Sequence, residues 1–539
     1  MKLLIEATNL ILPVRNGAAK VVLQLQRDGR MVREFNIELA ERDPDWHAFY
    51  DVSEFRGETL ELVAPAGLSP ALEASLETSV QISDELPVGD NLYGETHRPQ
   101  FHLTPRRGWN NDPNGMVHVD GTWHLFYQQN PFGLGWGNMH WGHWVSDDLA
   151  HWRERPTALF QKSLKDMAYS GGGMIDHGNT AGFGADGDSP LVVSFTSTGR
   201  GECLAYSLDG GETLVEHSEN PVLAHKGRDP RIVRYEPQDK WVMVVYDELE
   251  NGTPRYAFHE SRDLKNWSCL SAIGNWYECP EFFELPLDGD ESNRKWVLHG
   301  GLRRGTANGQ HEIVRSVYMV GTFDGTTFTP ETGRVPGHCG PSFYAAQRFS
   351  DAPDGRMIMM GWLQGTTYPG MPFSQGMTVP LELTLRSTAD GPRLCFYPVR
   401  ELDALRTESL LVDEPSNEEA SALLAAWDAE LLDLELTIEP ADTPVRLSVR
   451  GLEITYDPAS EELTCGNTRT RTPLEDGLLQ LRLLVDRCVV ELFASHGRTA
   501  FSLGGAVMRR PLDGLMLELQ PAARVHTLKI AEMNAIWTL

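Results

Sequence analysis

The segment Ser146-Asp147-Asp148-Leu149-Ala150-His151-Trp152 returns as Ser261-Arg262-Asp263-Leu264-Lys265-Asn266-Trp267, with the same spacing from Ser to Trp. Weaker copies of this motif occur at Ser207-Leu208-Asp209-Gly210 and at Phe323-Asp324-Gly325 leading to Phe328. The aspartates at 148, 209, 263 and 324 are separated by 61, 54 and 61 residues. Four strands plus their turns need on the order of 50 residues, which is one blade of a β-propeller. Residues 99–400 are therefore predicted to form a five-bladed β-propeller, unless the motif is a common hairpin turn that recurs by coincidence.

Residues 1–90 are predicted to form a small β-rich accessory domain similar to a sandwich. Between Leu3 and Leu62 short β-rich segments alternate with turns, and Asp28-Gly29 is a hairpin signal. From Leu86 to Pro99 the composition changes to Pro, Gly, Asp and Asn, which indicates a linker. The boundary of the accessory domain is expected in this stretch.

Residues 401–539 are predicted to form a linker helix followed by a C-terminal β-sandwich. The segment from Pro415 to Leu431 starts with Ser and Asn, continues with Glu and has apolar residues at helical spacing. Alternating strands follow it, with Asp486-Arg487 at a tight turn between two of them. The predicted fold class of the chain is thus all-β.

The charge balance excludes two classes of partner. The 539 residues include 47 Lys and Arg against 76 Asp and Glu, a formal net charge of −29, and no basic cluster. Such a surface repels phosphate groups, so neither nucleic acid nor an anionic membrane is expected as a partner. No apolar run approaches the about 18 to 20 residues of a membrane helix.

The first residues and the cysteines suggest a compartment. Met1 to Asn16 lack the apolar centre and cleavage pattern of a signal peptide, so a cytoplasmic location is expected, or secretion if a leader has been removed. The seven cysteines are scattered and form no C-x-x-C pair. This pattern indicates reduced thiols and argues against a zinc site, and no metal or other cofactor is expected.

Polar clusters recur at about the same interval as the repeat. In a propeller the innermost strand of each blade faces the central channel, so one such cluster from each blade can lie there. The clusters are Asn111-Asp112-Pro113-Asn114-Gly115, Tyr169-Ser170-Gly171, Arg228-Asp229-Pro230 and Glu278-Cys279-Pro280. Each cluster alone has a plain structural explanation. The cluster at 111–115 is also a turn sequence, Arg228-Asp229 could be an ion pair, and Glu278 could be a solvated edge residue. Because they are in phase, Asp112, Asp229 and Glu278 are predicted to meet in one funnel.

Converging carboxylates without a metal-ligand pattern favour the chemistry of glycosidic bonds. One protonated acid must give its proton to the leaving oxygen, and one ionised carboxylate must meet the developing positive charge. Aromatic residues are common in the same stretches, and each either stacks on a sugar or packs in the core. They are Trp109, Phe126, Tyr127, Trp136, Trp141, Trp144, Trp276 and Tyr277.

Several motifs resemble glycoside hydrolase family 32, the family of invertases, inulinases and levanases. They are WNNDPNG (109–115), LFYQQNP (125–131), WGNMHWGH (136–143), RDP (228–230), ECP (278–280) and LRLLVDRCVVELFASHG (481–497). The resemblance extends over residues 99–539. Residues 1–90 are similar, more loosely, to the accessory module that precedes the propeller in some bacterial levanases and fructan β-fructosidases.

The resemblance implies a retaining exo-β-fructosidase that releases terminal fructose from levan, inulin and sucrose. It makes Asp112 the nucleophile and Glu278 the acid and then the base, while Asp229 holds fructose hydroxyls and stabilises the transition state. The residues that it places at the substrate are Asn111, Gln128, Trp136, Ser170, Arg228, Trp109 and Tyr344. A sucrose-6-phosphate hydrolase, a transfructosylase and a fructan-binding propeller without activity remain open, as does a homo-oligomer.

The two principal acids need opposite environments. Backbone N–H groups of its tight turn are expected to keep Asp112 ionised. Trp276, Tyr277, Cys279 and Pro280 flank Glu278, and we expect this apolar setting to keep it protonated. The sequence departs from the family pattern at Asn110, Trp144, Gly172 and Ser342, so the preference among sucrose, inulin and levan is left open.

Overall fold

The computed structural model describes residues 1–87, 92–302, 315–505 and 514–537. The first of these ranges contains two small antiparallel sheets, in the orders β1-β6-β3-β4 and β5-β2-β7. The elements are β1 (Lys2–Leu4), β2 (Asn9–Val14), β3 (Val21–Arg27), β4 (Arg30–Ile37), β5 (Trp46–Asp51), β6 (Thr59–Val63), α1 (Pro70–Ser79) and β7 (Gln81–Ser83). Below we call residues 1–87 the N-terminal module.

Local sequence features account for one turn and one helix of the N-terminal module. The hairpin predicted at Asp28-Gly29 is confirmed, since it joins β3 to β4 with φ angles of 51° and 74°. Helix α1 was not predicted. It begins after Ser69, whose side chain accepts the N–H of Leu72, and it has Pro70 in its first turn.

Residues 108–398 form further sheets in which most strands pair with their neighbours in the chain. The strands are β8 (Gly108–Val119), β9 (Thr122–Asn130), β10 (His140–Ser146), β11 (Arg153–Leu159), β12 (Gly173–Ile175), β13 (Leu191–Ser197), β14 (Gly201–Ser207), β15 (Val215–Glu216), β16 (Gly227–Tyr235), β17 (Lys240–Glu248), β18 (Pro254–Ser261), β19 (Ser268–Gly274), β20 (Tyr277–Leu287), β21 (Asp290–Leu302), β22 (Arg315–Phe323), β23 (Phe328–Pro330), β24 (Val335–Pro336), β25 (Tyr344–Arg348), β26 (Ile358–Trp362), β27 (Phe373–Ser374), β28 (Leu381–Arg386) and β29 (Arg393–Pro398). Three sheets have the orders β11-β10-β9-β8-β27, β12-β13-β14-β15 and β16-β17-β18-β19. The other strands form one sheet, β23-β22-β21-β20-β28-β26-β25, in which β24 pairs with β22 and β29 with β28.

Strands β8, β12, β16, β20 and β25 lie side by side around a common centre. The N–H of Gly115 on β8 donates to the carbonyl of Gly171 next to β12 (2.9 Å), and the N–H of Gly172 donates to Pro230 on β16 (3.0 Å). Strands β16 and β20, β20 and β25, and β25 and β8 are also in contact. This is the arrangement of a β-propeller, in which one strand of every sheet faces the channel.

The repeated motif occupies equivalent turns in two of these sheets. It connects β10 to β11 and β18 to β19, and Leu149 and Leu264 have φ angles of 63° and 61°. The indole N–H of Trp152 donates to the carbonyl of Leu149 at 3.1 Å, and that of Trp267 to Leu264 at 2.7 Å. Because backbone and side-chain contacts agree, the motif is a structural repeat and not a coincidence.

The C-terminal part is a β-sandwich of two sheets, in the orders β30-β40-β31-β36-β37-β38 and β35-β34-β33-β32-β39. The predicted helix is shorter than expected, since α2 begins after its capping residue Ser416 and ends at Ala426. The turn expected at Asp486-Arg487 is confirmed, with Asp486 N–H donating to Val489. The elements are β30 (Arg406–Asp413), α2 (Asn417–Ala426), β31 (Leu432–Glu439), β32 (Val445–Val449), β33 (Leu452–Asp457), β34 (Glu462–Cys465), β35 (Thr468–Arg471), β36 (Leu479–Val485), β37 (Val489–Ala494), β38 (Thr499–Gly504), β39 (Leu515–Glu518) and β40 (Arg524–Met533).

A buried ionic cluster joins the sandwich to the start of the propeller. His102 is fully buried, with Nδ1 3.0 Å from Asp486 Oδ2 and Nε2 3.1 Å from Glu491 Oε2. Asp486 also accepts the backbone N–H groups of Gln100 and Phe101. Burial lowers the pKa of His102, but the hydrogen bonds to the two carboxylates outweigh it and raise this pKa to about 9.

The predicted linker is packed where the structure describes it. Residues 88–91 lie outside the described residues, and residues 92–99 form no helix or strand. Arg98 is nonetheless fully buried, and its guanidinium binds Glu95 (2.9 Å) and the Thr104 hydroxyl (2.8 Å). This segment is therefore a fixed connector against the propeller.

Three further features concern the thiols, metal sites and membrane spans. All seven cysteines have free thiols. The described residues contain no group of three or more His, Cys, Asp or Glu side chains placed to hold a metal ion. In the same residues, no helix has the length and apolar character needed to span a membrane.

Candidate active site

Each of the three predicted carboxylates lies where an inner strand bulges. The register of β8 against β9 shifts at Asp112, that of β16 against β17 at Asp229, and that of β20 against β21 at Glu278. The backbone has φ angles of 64° at Asp229 and 45° at Glu278, which are uncommon for residues other than glycine. Bulges redirect side chains and often occur beside active sites. Here they direct three acids from three strands toward one cavity.

A cavity of about 450 Å³ lies where these strands meet. Its lining includes all three carboxylates and every predicted substrate residue except Trp109. The lining residues are Asn111, Asp112, Gln128, Trp136, Tyr169, Ser170, Arg228, Asp229, Tyr277, Glu278, Tyr344, Trp362 and Gln364. A larger cavity of about 650 Å³, lined by Asp176, Trp241 and Trp296 among others, contains none of the three acids.

Asp112 is held by side chains on three different strands or loops. Its carboxylate accepts Ser170 Oγ at 2.6 Å, Asn111 Nδ2 at 3.1 Å and Cys279 Sγ at 3.6 Å. Burial raises the pKa of Asp112, the charge of Glu278 raises it further, and the Ser170 and Asn111 hydrogen bonds oppose this rise. The expectation that backbone N–H groups of its turn would keep Asp112 ionised is therefore wrong, because side chains supply the donors.

Glu278 lies in a polar environment. Its Oε1 accepts Arg228 Nη2 at 2.6 Å and its Oε2 accepts the Tyr344 hydroxyl at 2.9 Å. Trp276, its neighbour in sequence, is instead fully buried and stacked on Tyr256. The expectation of an apolar setting is thus wrong, and Arg228 and Tyr344 are the groups that orient this carboxyl.

Asp229 is the third acid and is buried. Its Oδ2 accepts the backbone N–H of Cys279 at 3.1 Å, and Arg228 Nε lies 3.9 Å away. Burial raises the pKa of Asp229 to about 8, aided by the charges of Glu278 and Asp112 and opposed by Arg228. Arg228 therefore faces two of the three acids, Asp229 and Glu278.

The other predicted residues divide into lining and supporting groups. Trp109 does not line the cavity but donates its indole N–H to Asn111 Oδ1 at 3.0 Å. Gln128 lines the cavity and donates to the Ala168 carbonyl at 2.9 Å. Trp136 lines it with half of its side chain exposed.

The predicted site residues left out four of the lining residues, Tyr169, Tyr277, Trp362 and Gln364. Tyr169 and Tyr277 stand beside predicted site residues, but sequence reasoning singled out neither Trp362 nor Gln364. They lie at and just after the end of β26, which pairs with β25, and hence outside the phased clusters of the inner strands. Trp362 contacts the rings of Trp109 and Tyr344, so it closes the cavity on that side.

Comparison with known proteins agrees with this geometry. The profile of the glycosyl hydrolases family 32 N-terminal domain matches residues 102–398, and that of the family's C-terminal domain matches residues 401–503. The chain is 33% identical to a levanase of Bacillus subtilis over 499 residues, which cover 83% of this chain and 72% of that protein. It is 31% identical to an extracellular exo-inulinase of Aspergillus ficuum, over 76% of this chain and 89% of that protein.

A solved structure extends the comparison to the fold. The crystal structure of an exo-inulinase from Aspergillus awamori superposes with a TM-score of 0.71 at 26% identity, covering 83% of this chain and all of that chain. The superposition shows a shared fold, and the propeller and the sandwich of this chain each match a profile of the same family. On this evidence the chain belongs to glycosyl hydrolases family 32.

Proposed function

We propose that this protein is a retaining exo-β-fructosidase, which hydrolyses terminal β-D-fructofuranosyl residues of levan, inulin and sucrose through a covalent fructosyl-enzyme intermediate. The observation that carries the proposal is the single cavity that contains Asp112, Asp229 and Glu278. The relatives named levanase and exo-inulinase support the choice of fructans as substrates.

The reaction assigns a separate role to each acid. Asp112 attacks the anomeric carbon of the terminal fructose while Glu278 gives its proton to the leaving oxygen, which takes the electrons of the broken bond. Glu278 then removes a proton from water, which attacks the same carbon and releases Asp112 as a carboxylate. Asp229 binds fructose hydroxyls and stabilises the positive charge of the transition state. A retaining mechanism needs the two reacting carboxyls about 5 to 5.5 Å apart.

The contacts around the acids suit these roles. Ser170 and Asn111 donate to the nucleophile and hold its carboxylate in one orientation. Arg228 lies near both Glu278 and Asp229, so its charge limits the repulsion between these two acids. Half-exposed Trp136 at the wall offers a ring face to a sugar.

We propose that the chain divides into three domains, residues 1–90, 99–400 and 401–539. The middle domain is the propeller and has five blades. In the nine-stranded sheet, β20 and β28 are joined by one residue pair, Leu287 with Leu385, and this pair is parallel. The remaining pairings of these strands are antiparallel within β20 to β24 and within β25, β26, β28 and β29. Two blades that touch at their edges account for this pattern.

Product analysis on sucrose, inulin and levan tests the proposal. The purified protein should release fructose as the first product from all three, without intermediate oligosaccharides, and the first-formed anomer seen by NMR should be β. Asp112→Asn serves as the inactive control. Oligosaccharides as first products, an α-anomer, or equilibrium binding without release of fructose would each contradict it. A higher rate on sucrose 6-phosphate would favour the phosphate hydrolase, and glucose in excess of fructose from sucrose would favour transfer.

A further inference from the structure

One wall residue of the cavity stands on a loop that is attached to the N-terminal module. The β9–β10 loop comprises residues 131–139 and carries Trp136, whose side chain is 52% exposed. Two of its apolar residues, Phe132 and Leu134, pack in the N-terminal module. Phe132 is 1% exposed within the core of the N-terminal module, where its ring stacks on Phe35 at 4.0 Å, and Leu134 packs against the same core.

A buried asparagine fixes the other end of this loop to the module. Asn138 Oδ1 accepts the N–H of Asn36 at 2.9 Å, while its Nδ2 donates to the Asn36 carbonyl (2.9 Å) and to Asn130 Oδ1 (3.0 Å). Asn36 lies on β4, an edge strand whose outer backbone groups have no strand partner in the sheet. The amide of Asn138 therefore satisfies that edge and links it to the loop.

The same edge strand binds a second propeller segment, beyond β11. Gln161 Nε2 donates to the Glu34 carbonyl at 2.6 Å, and Leu164 N–H donates to the Glu34 carboxylate at 3.0 Å. The Arg33 guanidinium lies over the Phe160 ring. These contacts fix β4 against the propeller. Because Asn138 binds Asn36 on β4, the loop is fixed together with this strand.

We propose that the N-terminal module is a positioning element of the active site, with Phe132 and Asn138 as the positioning residues that hold Trp136 in the cavity wall. The proposal rests on the proposed function, because Trp136 must contact a sugar for its position to affect catalysis. It goes beyond the family resemblance, because the family profiles begin at residue 102 and the anchoring strand β4 lies before it.

The test is a double-mutant cycle between Asn138 and Trp136. Asn138→Ala should raise KM for inulin by about threefold to tenfold, with kcat changed less than about twofold, since two to three buried hydrogen bonds of the loop are lost. In a Trp136→Ala background, Asn138→Ala should have no further effect on KM. Phe132→Leu, which keeps apolar volume but loses the ring stack, should act in the same direction if Asn138→Ala folds poorly.

A matched control separates loop position from module stability. Ser69→Ala removes the cap of α1 in the same module, so it should lower stability but leave KM unchanged. The proposal is overturned if Ser69→Ala raises KM as much as Asn138→Ala, or if the Asn138→Ala effect persists without Trp136. Hydrogen exchange of residues 131–139 gives a readout that does not need turnover. Faster exchange there in Asn138→Ala supports the anchoring even if the wild type releases no fructose, and unchanged exchange refutes it.

Discussion

Ser170→Ala tests how the nucleophile is kept ionised. The Ser170 hydroxyl donates to Asp112 Oδ2 at 2.6 Å, and a hydrogen bond to a charged group contributes about 1.5 to 3 kcal/mol. One pKa unit corresponds to about 1.4 kcal/mol. Because the hydroxyl stabilises the ionised carboxylate, its loss should raise the pKa of Asp112 by about one to two units, above a value that burial already raises. The acid limb of the pH profile should move to higher pH by the same amount.

The assay is kcat/KM for sucrose hydrolysis as a function of pH in wild type, Ser170→Ala and Ser194→Ala. Ser194 is a buried serine whose hydroxyl donates to the Pro230 carbonyl at 3.0 Å. Ser194→Ala therefore removes the same side-chain volume as Ser170→Ala but no hydrogen bond to an acid. Ser170→Ala should approach the wild-type plateau once the pH exceeds its shifted limb. An acid limb that coincides with that of the wild type, or an equal shift in Ser194→Ala, would refute the reasoning.

Three further changes have defined outcomes. Asp112→Asn should lower kcat by several powers of ten, with little change in the free energy of unfolding, and near-normal turnover on every fructoside would show that the nucleophile is misassigned. Glu278→Gln should also lower kcat by several powers of ten, so near-normal turnover in this variant would contradict its role as the acid. The pKa of His102 is raised from 6.5 to about 9 on folding, so its contribution to stability is complete below pH 6.5 and is lost as the pH rises through 9. The free energy of unfolding from urea titrations should therefore fall by about 3 kcal/mol between pH 6.5 and pH 9. His102→Gln should remove most of this fall, and an equal fall in the variant would show that the imidazolium is not its cause.

The repeat and the meeting of the acids could be predicted from sequence because both are periodic. The two turns that contain Leu149 and Leu264 have the same motif and backbone conformation, so the spacing between copies of the motif reports the length of a blade. The clusters around Asp112, Asp229 and Glu278 keep the same step, since each lies on the strand nearest the channel. Trp362 and helix α1 have no counterpart in the other repeats, so periodicity gave no information about them.

The electrostatic environment of the acids could not be predicted in this way, because neighbours in a strand sequence are not neighbours in space. Successive side chains of a strand point to opposite faces, and a bulge changes this alternation locally. Trp276 therefore packs on Tyr256 in the core, while Glu278 is directed to Arg228 and Tyr344, which come from β16 and β25.

The same geometry explains why backbone irregularity and function coincide in this protein. Asp229, Glu278 and Cys279 all have positive φ angles, which cost of order 1 kcal/mol or more unless the surroundings hold them. The Cys279 N–H that reaches Asp229 is available because the ladder between β20 and β21 is interrupted there. In a regular strand that N–H would bind the neighbouring strand, and the side chain of Glu278 would point to one face of the sheet. The irregular backbone is thus what brings the acids of separate sheets within hydrogen-bonding reach of common partners, and repairing it should cost activity more than stability.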